Sequence, residues 1–182
     1  MKIEPGQPAI PFSTEDVFGN RVRLADYRGR RLLLSFYRYA GCPLCNYRLE
    51  RLIILFPRFR RLGLEMVAVF QSPKDSIRFY VEDRHEAPFP IIADPERELY
   101  RKYGVETSWK GLFKGALRFP TLVRAARRGL YPGKIEGNPA TIPADFLIDA
   151  DLIVREAYYG RDAGDHLPTD AIENWLRKQQ RT

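Results

Sequence analysis

The sequence predicts a single α/β domain, a mixed central sheet with helices on both faces. Three observations carry that reading. Two short apolar runs, 32–37 and 64–70, have strand length, and a helical pattern follows each. Two further strand-like runs near the C-terminus lie only a few residues apart, which implies an antiparallel hairpin. A last amphipathic stretch over 168–178, with Leu167, Ala171, Ile172, Trp175 and Leu176 as its apolar face, supplies a closing helix. The order strand–helix–strand–helix–hairpin–helix needs a sheet covered on both sides. With 182 residues the chain is long enough for one sizeable core.

Taken in order, residues 5–20 are rich in turn formers and read as an extended entry with a Gly19-Asn20 turn. Arg21-Val22-Arg23-Leu24 alternates and suits a short strand. Leu32-Leu33-Leu34-Ser35-Phe36-Tyr37 fits a strand buried on both faces. After the loop Tyr39-Ala40-Gly41, the spacing of Leu44, Leu49, Leu52, Ile53 and Phe56 predicts a helix over 43–62. Pro43 suits its first position, Pro57 should kink it and Gly63 should end it. The second buried strand, 64–70, leads to Ser72, an expected N-cap ahead of Pro73 and a helix over 74–84. Residues 88–93 are a short extended segment, and Asp94-Pro95-Glu96 opens another helix that ends near Gly104.

Residues 108–141 read as an insertion. Trp109, Leu112, Phe113, Ala116 and Leu117 fall at i, i+3, i+4, i+7 and i+8, with Lys110, Lys114 and Arg118 between them. That is a short basic amphipathic helix, stopped before Pro120. It suits a lid, a dimer surface, a membrane-surface helix, or an insertion packed on the sheet, with Trp109 and Phe113 in the active-site cleft. A second helical stretch is expected over 121–128, and Gly and Pro dominate 129–143. Residues 145–149 and 152–158 form the hairpin.

Apolar residues make up 45% and charged residues 29%, an ordinary globular balance. No apolar run reaches membrane-span length, and the first residues lack the apolar core of a secretory signal, so a cytoplasmic location is expected. The net charge is +7, with arginines spread along the chain and no nucleic-acid-binding motif. A basic, solvated surface is expected, and no nucleic acid. Two cysteines are too few for a disulfide framework or a structural zinc site, and His85 and His166 lie far away in sequence. No metal or cofactor is expected.

Those cysteines, Cys42 and Cys45, form a C-x-x-C where a central strand gives way to a helix. Free N–H groups and the positive dipole end at a helix N-terminus stabilise a thiolate. Thiol pKa values there fall to roughly 3.5–7.5, against about 8.5 for a free thiol. Arg38 and Arg48, close in sequence, would lower the value further. Two thiols on one helical turn can close a small disulfide: one attacks, the other resolves. In a chain without an export signal such a pair points to redox chemistry.

The chain resembles the peroxiredoxin-like (AhpC/TSA, redoxin) branch of the thioredoxin superfamily. The likeness runs from Gly19-Asn20 and Leu33–Arg38 through Cys42-Pro43-Leu44-Cys45, Gln71-Ser72-Pro73 and Phe89–Pro95 to Tyr103-Gly104-Val105 and Ile142–Asp149. It implies a thioredoxin-like fold and a thiol-dependent antioxidant oxidoreductase that reduces hydroperoxides or disulfides. A thioredoxin- or glutathione-type reductant would reopen the disulfide, and a homodimer would fit. The family's P-x-x-x-T-x-x-C motif puts its attacking cysteine on Cys45, its threonine on Cys42 and its proline on Arg38. The family's later arginine falls near Ala144, where there is none. Thioredoxins instead place the attacking thiol first, on Cys42. The likeness also implies that Pro143 is the cis-proline facing the C-x-x-C and holds an extended substrate. Catalytic roles therefore fall on Cys42 and Cys45, and substrate positioning on Pro143, Arg38, Arg48 and Trp109. A redox-sensing or scaffold protein with a reversible disulfide and little turnover is the alternative. Gly164-Asp165-His166 reads as a turn and helix entry, and Asp75, Asp94 and Asp149 as cap or turn residues.

Overall fold

The computed structural model describes residues 2–178. A small antiparallel pair, β1 (Ser13–Glu15) and β2 (Arg21–Arg23), precedes a 3-10 turn at Leu24–Tyr27. The main sheet has five strands: β3 (Arg31–Phe36), β4 (Leu64–Phe70), β5 (Ile91–Ala93), β6 (Ala144–Ile148) and β7 (Val154–Tyr159). Their spatial order is β5-β4-β3-β6-β7; β3, β4 and β5 run parallel, and β6 and β7 antiparallel.

Side chains alternate across the strands, so each face has its own core. Leu33, Tyr37, Met66, Ala68, Phe70 and Leu147 pack under helices α1 (Pro43–Arg61), α2 (Lys74–Ile77) and α7 (Thr169–Lys178). Leu32, Leu34, Phe36, Val67, Val69 and Phe146 pack on the opposite face, against the N-terminal segment and α4 (Glu98–Lys102). Continuous apolar runs in β3 and β4 thus follow from burial on both faces.

Helix α1 runs through Pro57 to Arg61, and Gly63 follows at φ 80°. Helix α2 passes through a π-helical stretch, Arg78–Glu82, into α3 (Asp83–His85). Ser72 does not cap it: its hydroxyl accepts instead from Ala40 N at 2.9 Å, tying the end of β4 to the loop before α1. Asp94 does cap, accepting from the amides of Glu98 and Leu99 at 2.9 and 2.8 Å. Asp149 holds the β6–β7 turn through the amides of Asp151 and Ile153.

The insertion forms two helices, α5 (Trp109–Ala116) and α6 (Phe119–Arg127). Helix α6 starts earlier than the sequence pattern suggests because Pro120 fits its first turn. Helix α5 does not dock on its apolar stripe. Gly111 and Gly115 face inward, so closely that a Cβ at Gly115 would lie 2.6 Å from the Cβ of Ala163. Trp109, Phe113 and Leu117 stand on the outside, 61%, 71% and 80% exposed. A fork from Arg118 to Asp162, at 2.7 and 2.9 Å, pins the end of α5 to the body.

Candidate active site

The end of β3 and the start of α1 bring three of the expected residues together. Cys42 is the N-cap of α1, and its sulfur accepts from Cys45 N at 3.4 Å. Arg38 Nη1 reaches the same sulfur at 3.5 Å. Both cysteines are reduced and buried, Cys42 at 1% and Cys45 at 0% exposure.

The two thiols differ sharply in acidity. Burial pushes Cys42 up. The hydrogen bond from the Cys45 thiol, the Arg38 charge and the amides of Cys45 and Leu44 outweigh it, bringing Cys42 down to about 7. Burial also raises Cys45, and donating to an ionised Cys42 raises it further. Cys42 is therefore the more acidic of the two thiols, with the Cys45 thiol as a hydrogen-bond donor beside it.

The loop is fixed from several directions. Asn46 Nδ2 donates to the carbonyls of Ala40 and Cys42 at 2.6 and 3.1 Å. Arg38 Nη2 donates to the Pro139 carbonyl at 2.6 Å. Gln71 clamps the returning chain, donating to the carbonyls of Glu136 and Asn138 and accepting from the Thr141 hydroxyl. Gly133 N donates to Gly41 O at 2.9 Å, an approach that leaves no room for a side chain at Gly41. Gln71 and Ser72 stand within a stretch that carries the family likeness; Asn46 and Pro139 have no sequence signal.

An apolar cavity of about 190 Å³ opens on Cys42. Leu44, Leu112, Ala116, Leu122 and Ala163 line it, with Arg38 at its polar end. Arg38 Nε is buried there without a hydrogen-bond partner.

Three expected positioning residues lie elsewhere. Trp109 points away, because α5 presents its glycines to the body. Phe113 is outside for the same reason. Arg48 donates to the Leu167 carbonyl at 2.6 Å and lines a separate groove with Arg51 and His166. Pro143 is not a cis-proline: among the described residues every peptide bond is trans. Ile142 N donates to Glu106 O, and Pro143 O accepts from Gly160 N, so the extended trans backbone is held by its neighbours. Pro143 lines a different cavity, beside Ser108 and Tyr159.

His166, at the entry to α7, places Nδ1 3.0 Å from Asp145 Oδ2. Ser35 also donates to Asp145, and Leu167 N does so at 2.7 Å. Burial raises the Asp145 carboxyl, but His166, Arg48 and Ser35 bring it down to about 2. This cluster ties β3, β6 and α7 together beneath α1.

Residues 5–157 match the AhpC/TSA family. The chain belongs to the AhpC/TSA family. Over 166 residues it is 32% identical to the Mycobacterium tuberculosis protein named "Putative peroxiredoxin Rv2521", covering 91% of each chain. It is also 32% identical to the thiol-disulfide oxidoreductase ResA of Geobacillus thermodenitrificans over 104 residues, 57% of this chain and 59% of the relative. Its fold is thioredoxin-like. The solved structure of peroxidoxin BcpB from Mycobacterium tuberculosis superposes with a TM-score of 0.69 at 17% identity, covering 97% of both chains. A peroxiredoxin 6 of Arenicola marina gives 0.72 at 20% identity, over 98% of this chain and 74% of the other. This AhpC/TSA member is thus a peroxiredoxin-like thiol oxidoreductase. Among its described residues no helix is long and apolar enough to cross a membrane.

Proposed function

We propose that the chain is a thiol peroxidase in which Cys42 attacks a hydroperoxide and Cys45 resolves the product. The observation that carries this reading is the burial of an ionisable Cys42 at the foot of a 190 Å³ apolar cavity. That space suits a small oxidant rather than the disulfide of a folded protein. Arg38 supports it: one of its N–H groups reaches the Cys42 sulfur and stabilises the thiolate.

The Cys42 thiolate attacks the distal peroxide oxygen, forming the S–O bond of a sulfenic acid as the O–O bond breaks. The alkoxide leaves and takes up a proton. The Cys45 sulfur then attacks the Cys42 sulfur, a disulfide forms, and hydroxide leaves with the Cys45 proton as water. Two electrons pass from the dithiol to the peroxide. A thioredoxin- or glutathione-type reductant returns them by thiol–disulfide exchange.

Sulfenic-acid trapping in single-cysteine variants tests the order. Cys45→Ser should accumulate one trapped sulfenic acid per chain, and Cys42→Ser none. The reverse result would assign the attack to Cys45, as the family motif suggests. Steady turnover of a small disulfide without peroxide consumption would replace the peroxidase reading with disulfide exchange.

A further inference from the structure

We propose that the segment 107–135, the helical part of the insertion with its flanks, is a docking surface for anionic lipid bilayers. The inference goes beyond the redox reading and does not depend on it. Its first support is where the charge sits. The chain has thirty basic and twenty-three acidic residues. Seven of the basic residues and none of the acidic ones fall between Thr107 and Ile135, leaving twenty-three of each elsewhere. The whole net charge of +7 is therefore carried by this one segment, not spread as the distribution of arginines suggests. Arg118, Arg128 and Lys134 pair with acidic groups of the body. Lys110, Lys114, Arg124 and Arg127 have no ion-pair partner among the described residues.

The second support is apolar surface in the same place. Nine large apolar side chains are exposed among the described residues, and six belong to this segment. Trp109, Phe113 and Leu117 follow one stripe of α5, and Phe119, 71% exposed, begins α6. They are outside because Gly111 and Gly115 take the inner face, so no rotation of α5 within its packing would bury them. Aromatic and leucine side chains flanked by lysines are the composition of a helix lying at a membrane interface.

Charge complementarity selects the occupant. A second copy would set seven basic residues against seven. The apolar side chains also project from a helix rather than line a groove, so a folded acidic partner would need pockets to match each one. A bilayer needs none: rings enter the acyl boundary while the lysine ammonium groups stay with anionic headgroups.

Cosedimentation of the full chain with phosphatidylcholine vesicles, with or without about one-third phosphatidylserine, tests this at low and moderate salt. The chain should pellet with the anionic vesicles only, and less as salt rises. Lys110→Gln with Lys114→Gln should weaken binding about thirtyfold, and Trp109→Ser with Phe113→Ser should abolish it at moderate salt. In a Trp175→Phe background, Trp109 emission should shift to the blue on vesicle addition, a readout that needs no surface variant to fold. Cys42→Ser should bind like the unmodified chain, so failure here and failure of the peroxidase reading are distinguishable. No retention, equal retention on neutral vesicles, or retention indifferent to Trp109 and Phe113 would overturn the proposal. Binding of soluble polyglutamate with the same dependence on Trp109 and Phe113 would overturn it in favour of an acidic protein partner.

Discussion

A buried thiol ordinarily keeps its proton, and Cys42 gives it up only because three kinds of donor meet its sulfur. Arg38 is the one whose removal is cleanest to read. As pH rises through about 7 the thiolate fraction of Cys42 grows, so its rate of alkylation should rise and level off above about 8. Arg38→Met removes a charge that favours ionisation, so the inflection should move to higher pH. At pH 7 the reaction should slow about fivefold, the loss of thiolate when the inflection climbs from about 7 to about 8. Iodoacetamide kinetics on the intact dithiol protein, with Cys42 modification read by peptide mass, measure both; an inflection unmoved by Arg38→Met would remove Arg38 from the site. The cysteines, Pro43 and Arg38 were legible because they lie within one short stretch, 38–45, of the sequence. The groups that hold Arg38 were not: Pro139 is 101 positions away, and nothing local marks its carbonyl as a partner. Pro143 shows the opposite error. Its place before β6 matches the family pattern, yet the bonds made by Ile142 and Pro143 hold the trans form.

At the scale of the element, β2, β3, β4, β6 and β7 were legible to within a residue or two, since continuous apolar runs have one explanation in a sheet covered on both sides, whereas β1 lay hidden in the turn-rich entry. Both helices of the insertion were legible too, but not the way they dock, because hydrophobic periodicity identifies a helix face but not what that face meets. In α5 the decisive residues were the two glycines four apart, which allow closer approach to the body than any aromatic face. Gly115→Val would put a branched side chain where even a Cβ meets the Ala163 backbone at 2.9 Å. The helix must lift, at a cost of about 1–3 kcal/mol. The transition temperature should fall in calorimetry, and a bulky maleimide should label Cys42 faster. Unchanged labelling despite a lower transition temperature would mean that α5 does not guard the sulfur.

On the scale of the whole molecule, the sheet order and the two cores on its faces follow from chain pattern and connection rules. What connects the molecule to its partners is the placement of the Cys42 sulfur beneath the insertion, with Cys45 fully buried. A hydroperoxide is small enough to enter beside Leu112 and Leu122; the dithiol of a protein reductant is not. Re-reduction by a protein should therefore wait for α5 and α6 to move aside. Turnover should then level off as the protein reductant is increased, while a small dithiol shows no such ceiling, and Gly115→Val should raise the ceiling. Strict proportionality to the protein reductant, with no plateau, would show that the disulfide is presented without opening. Where the plateau holds, oxidation keeps time with the surroundings and recovery keeps time with the protein's own breathing. The fraction of molecules oxidised at any moment is then a ratio of an outside rate to an inside one, and a brief pulse of oxidant leaves a trace that outlasts it.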